Sequence, residues 1–319
     1  MQKTDRIFVA GHRGLIGSAL VRCLRQEKYE NLALRDHSAL ELTDAAAVEN
    51  FFHEFSPKYV VLAAGRVGGI VENQNYPADF MNENIAIQLN VLRAARKAGA
   101  ARVLFFGSSC MYPRECPQPM AENILLTGKP EPTSMAYAMA KLAGVEMCLS
   151  YNKQDGQNQF IPVIPNSVYG SDDNFDSNGG HVLSALIRRF HEAKSSGEKE
   201  LTLWGSGSPR REFLYSDDLA AACLTLLRAD LQKVELPLNI GSGEEVSIQE
   251  LAQLVAGVAG YEGRVHWDTA KPDGAPRKLL DSSRMKSLGW SARVPLKEGI
   301  RRTYDWYLQN KKGESWPKK

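Results

Sequence analysis

The chain has 319 residues and a mass of 35.3 kDa, with 43% hydrophobic and 24% charged residues. That is the make-up of a folded globular protein with room for about two domains. Its 39 Lys and Arg against 37 Asp and Glu leave a formal charge of +2, which excludes a nucleic-acid binder driven by bulk positive charge and an acidic disordered chain.

In chain order, residues 6–10 read as a short β-strand. They are followed by Gly11-His-Arg-Gly14-Leu-Ile-Gly17 and by a helix over 18–26 with Ala19, Leu20, Cys23 and Leu24 on one face. Residues 31–35 predict a second strand, Ala45–Phe55 a helix, 59–64 a wholly apolar strand, 85–98 an amphipathic helix and Arg102–Phe106 a fourth strand. Strands keep alternating with helices to about residue 170. Parallel strands need helical crossovers, so the alternation predicts an α/β fold with a Rossmann-type doubly wound parallel sheet. The Asp-, Asn-, Ser- and Gly-rich stretch 170–180 reads as a loop and a domain boundary. Beyond it the pattern loosens, as expected of a smaller α/β C-terminal substrate domain, and 236–240 reads as a strand that returns to the main sheet. The expected division is 1–172 for the dinucleotide-binding domain, with 213–243 returning to it, and 173–212 plus 244–319 for the substrate domain.

The apolar run 7–11 is far shorter than a signal-peptide core, and no stretch approaches the ~18 apolar residues of a membrane helix. The five cysteines (Cys23, Cys110, Cys116, Cys148 and Cys223) lack C-x-x-C spacing, and the six histidines lack metal-ligand spacing. The expectation is a soluble, cytoplasmic protein with no metal, no membrane partner and no nucleic-acid partner.

Gly11, Gly14 and Gly17 follow a strand and open a helix. Glycines there allow a tight turn and let backbone approach a pyrophosphate at the helix N-terminus. At the end of the second strand an acidic residue would favour NAD and an arginine NADP. Here it reads Leu34-Arg35-Asp36-His37. Arg35 and the loop's Arg13 match a 2′-phosphate, whose oxygens suit guanidinium forks, so NADP is the expected cofactor. Asp36 pulls the other way. Tyr137-Ala-Met-Ala-Lys141 places a phenol and an ammonium one helical turn apart, where Lys⁺ would favour the phenolate and let the tyrosine exchange a proton near neutrality. Ser108 or Ser109, just after the fourth strand, would sit at the carboxyl end of the sheet, where such sites form.

This combination of glycine loop, serine and Tyr-x-x-x-Lys resembles the extended short-chain dehydrogenase/reductase family over the whole chain. Phe106-Gly-Ser108-Ser-Cys110-Met-Tyr-Pro113 narrows the resemblance to its NADPH-dependent epimerase/reductases of GDP-4-keto-6-deoxy-D-mannose, which make GDP-L-fucose. Further motifs extend it: Val67-Gly-Gly-Ile70, Tyr76-Pro-Ala-Asp-Phe80, His181 with Arg188-Arg-Phe-His-Glu-Ala193, Trp204-Gly-Ser-Gly207 with Arg211-Glu-Phe213, and Lys271-Pro-Asp-Gly-Ala-Pro-Arg-Lys278.

A ketone at C4 acidifies C3 and C5, and inverting them needs a proton removed on one face and another delivered on the opposite face. Cys and His titrate near neutrality and suit that work. The resemblance assigns it to Cys110 and His181, ketone polarisation to Ser108, protonation of the C4 oxygen to Tyr137, and the cofactor ribose to Lys141. It further implies Arg189 and Arg211 on the GDP diphosphate, Trp204 on the nucleotide or sugar, Lys278 on a ribose or phosphate, and a homodimer formed through helices 85–98 and 137–151. The chain departs from the family at Pro165-Asn-Ser-Val-Tyr-Gly-Ser171, where the usual pattern is Asn-x-Tyr-Gly-Pro. Asn166 or Ser167 is the candidate substitute for the family's sugar-holding asparagine. The departure keeps a second reading open, an epimerase/reductase of another GDP-4-keto sugar such as a deoxyheptose or dideoxyhexose. A non-catalytic NADP-binding regulatory protein is the remote alternative.

Overall fold

A computed structural model of the chain describes residues 1–176, 181–271 and 273–310. The last four residues of the loop expected over 170–180, and Pro272, lie outside the described residues.

The first half winds a parallel sheet. Strand β1 (Ile7–Ala10) leads through the glycine loop into α1 (Leu15–Gln26); β2 (Leu32–Ala33), α2 (Ala45–Phe55) and β3 (Tyr59–Leu62) follow. Helices α3 (Ile70–Asn75) and α4 (Pro77–Lys97) then lead to β4 (Arg102–Phe106), and the long α5 (Met135–Asp155) to β5 (Phe160–Pro165). The sheet is completed much later by a strand at Leu238–Ile240, which pairs in parallel with β5, as Val163↔Leu238 and Ile164↔Asn239. The strand order reverses direction at β1, which lies between β2 and β3. That topological switch point opens a crevice at the carboxyl ends of the strands, directly beside the glycine loop.

The central strands are buried on both faces, and their sequences (Ile-Phe-Val-Ala, Tyr-Val-Val-Leu, Arg-Val-Leu-Phe-Phe) are correspondingly apolar without alternation. One face packs α1 and the later helix Ser216–Arg228 through Leu20, Leu24, Leu219 and Leu226. The other packs α2, α4 and α5 through Phe52, Leu92, Leu142 and Val145.

The second half begins with β6 (Ser167–Tyr169), α6 (Val182–Ser196), β7 (Glu200–Trp204), β8 (Arg210–Tyr215) and α7 (Ser216–Arg228). After β9 (Leu238–Ile240) come β10 (Glu245–Ser247), α8 (Ile248–Ala259), β11 (Arg264–Asp268), β12 (Arg277–Lys278), α9 (Ser283–Ser287) and α10 (Leu296–Asn310). Strands β6, β10 and β12 all pair with β8, and β11 pairs with β7. A separate apolar core of Phe175, Ile187, Phe190, Leu251, Ile300 and Tyr304 unites α6, α8 and α10.

The strands at 6–10, 59–64 and 236–240 are one or two residues shorter than their sequence-based bounds, and three elements differ further. Helix α1 starts at Leu15 instead of 18, because Gly14 itself is the N-cap. Helix α4 starts at Pro77 rather than 85. Its first turns carry Asn84, polar in sequence yet buried, with its amide donating to the carbonyls of Phe80 and Arg66 at 2.8 and 3.0 Å, so apolar periodicity could not mark the start. Strand β2 shortens to two residues, because the chain turns out toward the glycine loop at Asp36. Among the described residues, no helix is long and apolar enough to cross a membrane.

Candidate active site

The glycine loop is dictated by close contact. Gly11 has φ +79°, and a Cβ there would sit 2.7 Å from the Ala64 nitrogen. A Cβ on Gly17 would lie 2.1 Å from the Gly11 carbonyl oxygen. Gly14 caps α1 without a side-chain hydrogen bond. The first amides of α1 and the positive end of its dipole therefore face the switch-point crevice, the geometry that receives a pyrophosphate.

Asp36, the residue that spoke against NADP, is neutralised in place. Its carboxylate meets Arg13 at 2.7 Å and His12 Nε2 at 3.2 Å. Burial lowers the pKa of His12, with Asp36 working the other way. Arg35 is exposed beside this pair, its guanidinium 5.8 Å from the Phe51 ring centre. Arg13 and Arg35 are thus exposed cations on either side of Asp36, one paired with it in space and the other next to it in sequence.

At the carboxyl end of β4, Ser108 caps a short 3₁₀ turn, Ser109–Met111, and its Oγ accepts the Cys110 amide at 3.3 Å. This cap folds Ser108 and Cys110 back on one another. Tyr137, in the first turn of α5, hydrogen-bonds Ser108 and feels Cys110, and its ring stands edge-on to Phe80 at 6.2 Å. Ser109 is separated from this group, since its hydroxyl donates to Asn166 Oδ1 at 3.1 Å in a buried network. Of the two candidate serines, the structure therefore places Ser108 with the tyrosine.

Lys141 is buried one turn along α5, its Nζ 5.1 Å from the Phe105 ring centre and 5.9 Å from that of Tyr137. Burial brings its ammonium down to about 8. Lys141 is not among the groups that shift Tyr137. Burial pushes Tyr137 upward, Cys110 adds to the rise, and the Ser108 hydrogen bond offsets only part of it. Tyr137 is thus a neutral phenol at pH 7, poised to donate a proton.

His181 precedes α6 as its N-cap residue, with half its side chain exposed. Its Nδ1 lies 3.4 Å from Asp173 Oδ1.

The remaining basic residues come from three segments. Arg211 on β8 and Lys278 on β12 are in register in a parallel pair. Burial lowers the pKa of Arg211, opposed by nearby Asp273. Asp273 also accepts from the Ser206 amide and hydroxyl at 2.9 and 2.7 Å, which ties the end of β7 to Arg211. Trp204 closes β7, 68% exposed and with Lys271 Nζ 5.5 Å from its ring centre, so it is a surface platform and not a core anchor. Arg189 on α6 donates to the Thr202 carbonyl of the same strand, and burial lowers its pKa.

Sequence reasoning missed the scaffold beneath these residues. Glu212 is fully buried, and its carboxylate accepts from Asn166 Nδ2 at 2.7 Å, the Gly243 amide at 2.7 Å and the Leu280 amide at 3.0 Å. Asn166 donates further to the Lys278 carbonyl at 3.2 Å. Both its amide hydrogens are thereby engaged inside the protein, so Asn166 braces β8 and β12 from within. A buried carboxylate has no sequence signature; its spacing is that of any strand residue.

Comparison with known proteins agrees with this geometry. Residues 7–241 match the model of the NAD dependent epimerase/dehydratase family. The chain is 53% identical over 308 residues to GDP-L-fucose synthase 1 of Arabidopsis thaliana, covering 97% of this chain and 94% of that protein. It is 46% identical over 313 residues to GDP-L-fucose synthase of Escherichia coli (strain K12), covering 96% and 97%. The solved structure of a GDP-L-fucose synthetase from Naegleria fowleri bound to NADP superposes with a TM-score of 0.90 at 29% identity, over 98% of this chain and 95% of that one. A switch-point glycine loop, a Ser–Tyr–Lys group at the end of β4 and a family match across most of the chain lead to one assignment: the protein belongs to the NAD dependent epimerase/dehydratase family, within the extended short-chain dehydrogenase/reductases.

Proposed function

We propose that the chain is an NADPH-dependent oxidoreductase and epimerase that inverts C3 and C5 of GDP-4-keto-6-deoxy-D-mannose and reduces C4, giving GDP-L-fucose. The observation that carries the reading is the gathering of Ser108, Cys110 and Tyr137 at the carboxyl end of β4. It joins a proton-transfer thiol to a carbonyl-reducing pair. Relatives named GDP-L-fucose synthase match nearly the full length.

In this reading Ser108 donates a hydrogen bond to the C4 ketone and strengthens the acidity of C3 and C5. Cys110 and His181 remove and return protons on opposite faces of the ring. The cofactor, when bound, supplies the hydride that C4 accepts. Tyr137, neutral in its enclosed position, gives its proton to the C4 oxygen, so the ketone becomes an alcohol. Gly11, Gly14 and Gly17 admit the pyrophosphate, Arg13 and Arg35 take the 2′-phosphate, and Lys141 holds the ribose. Arg189 and Arg211 face the GDP diphosphate, with Lys278 and Trp204 beside the nucleotide.

The proposal assigns 1–172 and 213–243 to dinucleotide binding, and 173–212 and 244–319 to the sugar nucleotide. It includes a homodimer through α4 and α5, supported by the exposed Leu89 and Met139 on those helices. It also includes a cytoplasmic setting, supported by five free thiols, and no nucleic-acid partner. The test is NADPH oxidation with GDP-4-keto-6-deoxy-D-mannose and, in parallel, with other GDP-4-keto sugars. Turnover of the mannose derivative to GDP-L-fucose is expected. Turnover of another sugar without it would transfer the assignment to that sugar, and no turnover at all would favour a binding protein.

A further inference from the structure

The loop after β6 is shaped and then fastened. Gly170 takes φ +153°, where a Cβ would lie 2.2 Å from Ser216 Oγ. Asp172, two residues on, has φ +64°. Arg22 of α1 grips Asp172 at 2.7 Å and Asp217 of α7 at 2.9 Å. The loop is thereby tied to the helix that opens at the glycine loop.

The next residue, Asp173, turns inward. Its side chain is 2% exposed, against 54% for the His181 ring beside it. Oδ1 accepts the Asn174 amide at 2.8 Å and lies 3.4 Å from His181 Nδ1. A buried carboxylate is costly unless its charge is used. A neutral imidazole carries its hydrogen on either nitrogen, and the partner of one nitrogen decides the state of the other.

We propose that Asp173 is the positioning residue of His181: it accepts the Nδ1 hydrogen, fixes the ring, and leaves Nε2 as the atom that exchanges protons with the sugar. This rests on the epimerase/reductase reading above. In the proton transfer, a C–H bond beside the ketone breaks, an Nε2–H bond forms, and the electron pair passes to the C4 oxygen as an enolate. The imidazolium so formed carries a hydrogen on each nitrogen and lies against the Asp173 side chain. Inversion is completed when the Cys110 thiol delivers a proton on the opposite face; the Nε2 proton then passes through solvent water to the thiolate, which restores the starting state without a further reagent. Arg22 acts at one remove, by holding the turn that presents Asp173.

Two measurements decide the matter. The first is the ¹⁵N–¹H correlation spectrum of the histidine rings in the wild-type protein, with His181 assigned by its loss in His181→Gln. The expected pattern is hydrogen on Nδ1 and a bare Nε2; the opposite tautomer overturns the proposal without any other variant. The second is Asp173→Asn. It should slow solvent-deuterium exchange at the inverted carbons about 10²- to 10⁴-fold, the span for a histidine acid–base catalyst that loses its orienting carboxylate. KM should stay within about threefold of wild type. Reduction by NADPH of a 4-ketone already inverted at C3 and C5 should be unchanged. Exchange at the wild-type rate overturns the proposal, as does equal loss of exchange and of that reduction, which would mark Asp173 as merely structural. Should the wild type not act on GDP-4-keto-6-deoxy-D-mannose, the functional reading falls, while the tautomer still decides the Asp173–His181 relation.

Discussion

The glycine-loop side of the cleft and its sugar side are built by opposite means. On the first, backbone does the shaping. Three glycines lie within seven residues, two of them in contacts that leave no space for a Cβ, and the side chains at the rim are exposed. On the second, the candidate side chains come from α6, β7, β8 and β12, and a buried Glu212–Asn166 pair ties β8 to the segment before β6 beside the β8–β12 register. A local backbone site is rigid and insensitive to what lies around it. A site assembled from distant segments depends on its supports, and small changes there retune the sugar it accepts.

The comparison predicts unequal responses. The largest is expected for Gly17→Ala. The new methyl would collide with the Gly11 carbonyl, so NADPH binding, followed by fluorescence titration, should weaken by roughly a hundredfold or about 2.8 kcal/mol. Binding of GDP should change little. A variant that kept its NADPH affinity would show that the loop is looser than its contacts indicate.

Arg35→Ala tests the rim of the same side. A charge-assisted contact to phosphate contributes about 1.5–3 kcal/mol and an exposed one lies at the low end, so kcat/KM for NADPH relative to NADH should fall about 10- to 30-fold. An unaltered preference would remove Arg35 from the 2′-phosphate site and leave the discrimination to Arg13.

The smallest effect concerns Lys141, where the two sides meet. Burial lowers its pKa from 10.5 to about 8. Between those values the unfolded chain holds more protons than the folded one, so stability rises with pH there. The cost of burying the charge is complete below pH 8 and fades toward pH 10.5. Lys141→Met should therefore stabilise the cofactor-free protein at pH 7 by about 1–2 kcal/mol, a few degrees in Tm. The gain should be lost near pH 10.5, and turnover should drop. A destabilised variant at pH 7 would mean that Lys141 has a favourable partner in the folded state.

Legibility in the sequence followed the same division. Strands β1, β3 and β4 could be read because buried parallel strands are apolar throughout, and the glycine loop because its spacing is local. Tyr137 and Lys141 were visible as a helical pair. What the pair does was less visible: the enclosure that raises one and lowers the other depends on Phe80, Phe105 and Cys110, which lie elsewhere in the sequence. The sequence leaves Asn166 and Ser167 as alternative substitutes for the family's asparagine; Glu212 and Lys278, far along the chain, take the Asn166 amide inward. Asp173 carried only one faint signal, an aspartate close ahead of a histidine, and its orientation follows from the left-handed turn at Asp172. Short, twisted pairings such as β12 with β8 have no periodicity to read, since two residues make the strand.

The central claim is that one cleft carries out two separable reactions, proton exchange through Cys110 and His181 and reduction through Tyr137. It is tested most directly by running wild type, Tyr137→Phe and Cys110→Ser on GDP-4-keto-6-deoxy-D-mannose with NADPH in deuterated water. Deuterium at C3 and C5 is counted against NADPH consumed. Tyr137→Phe should lose about 10²- to 10⁴-fold in NADPH consumption while exchange continues, and Cys110→Ser should lose exchange by a similar factor. If exchange and reduction fall together in Tyr137→Phe, or if Cys110→Ser exchanges as fast as wild type, the division of labour drawn here is wrong.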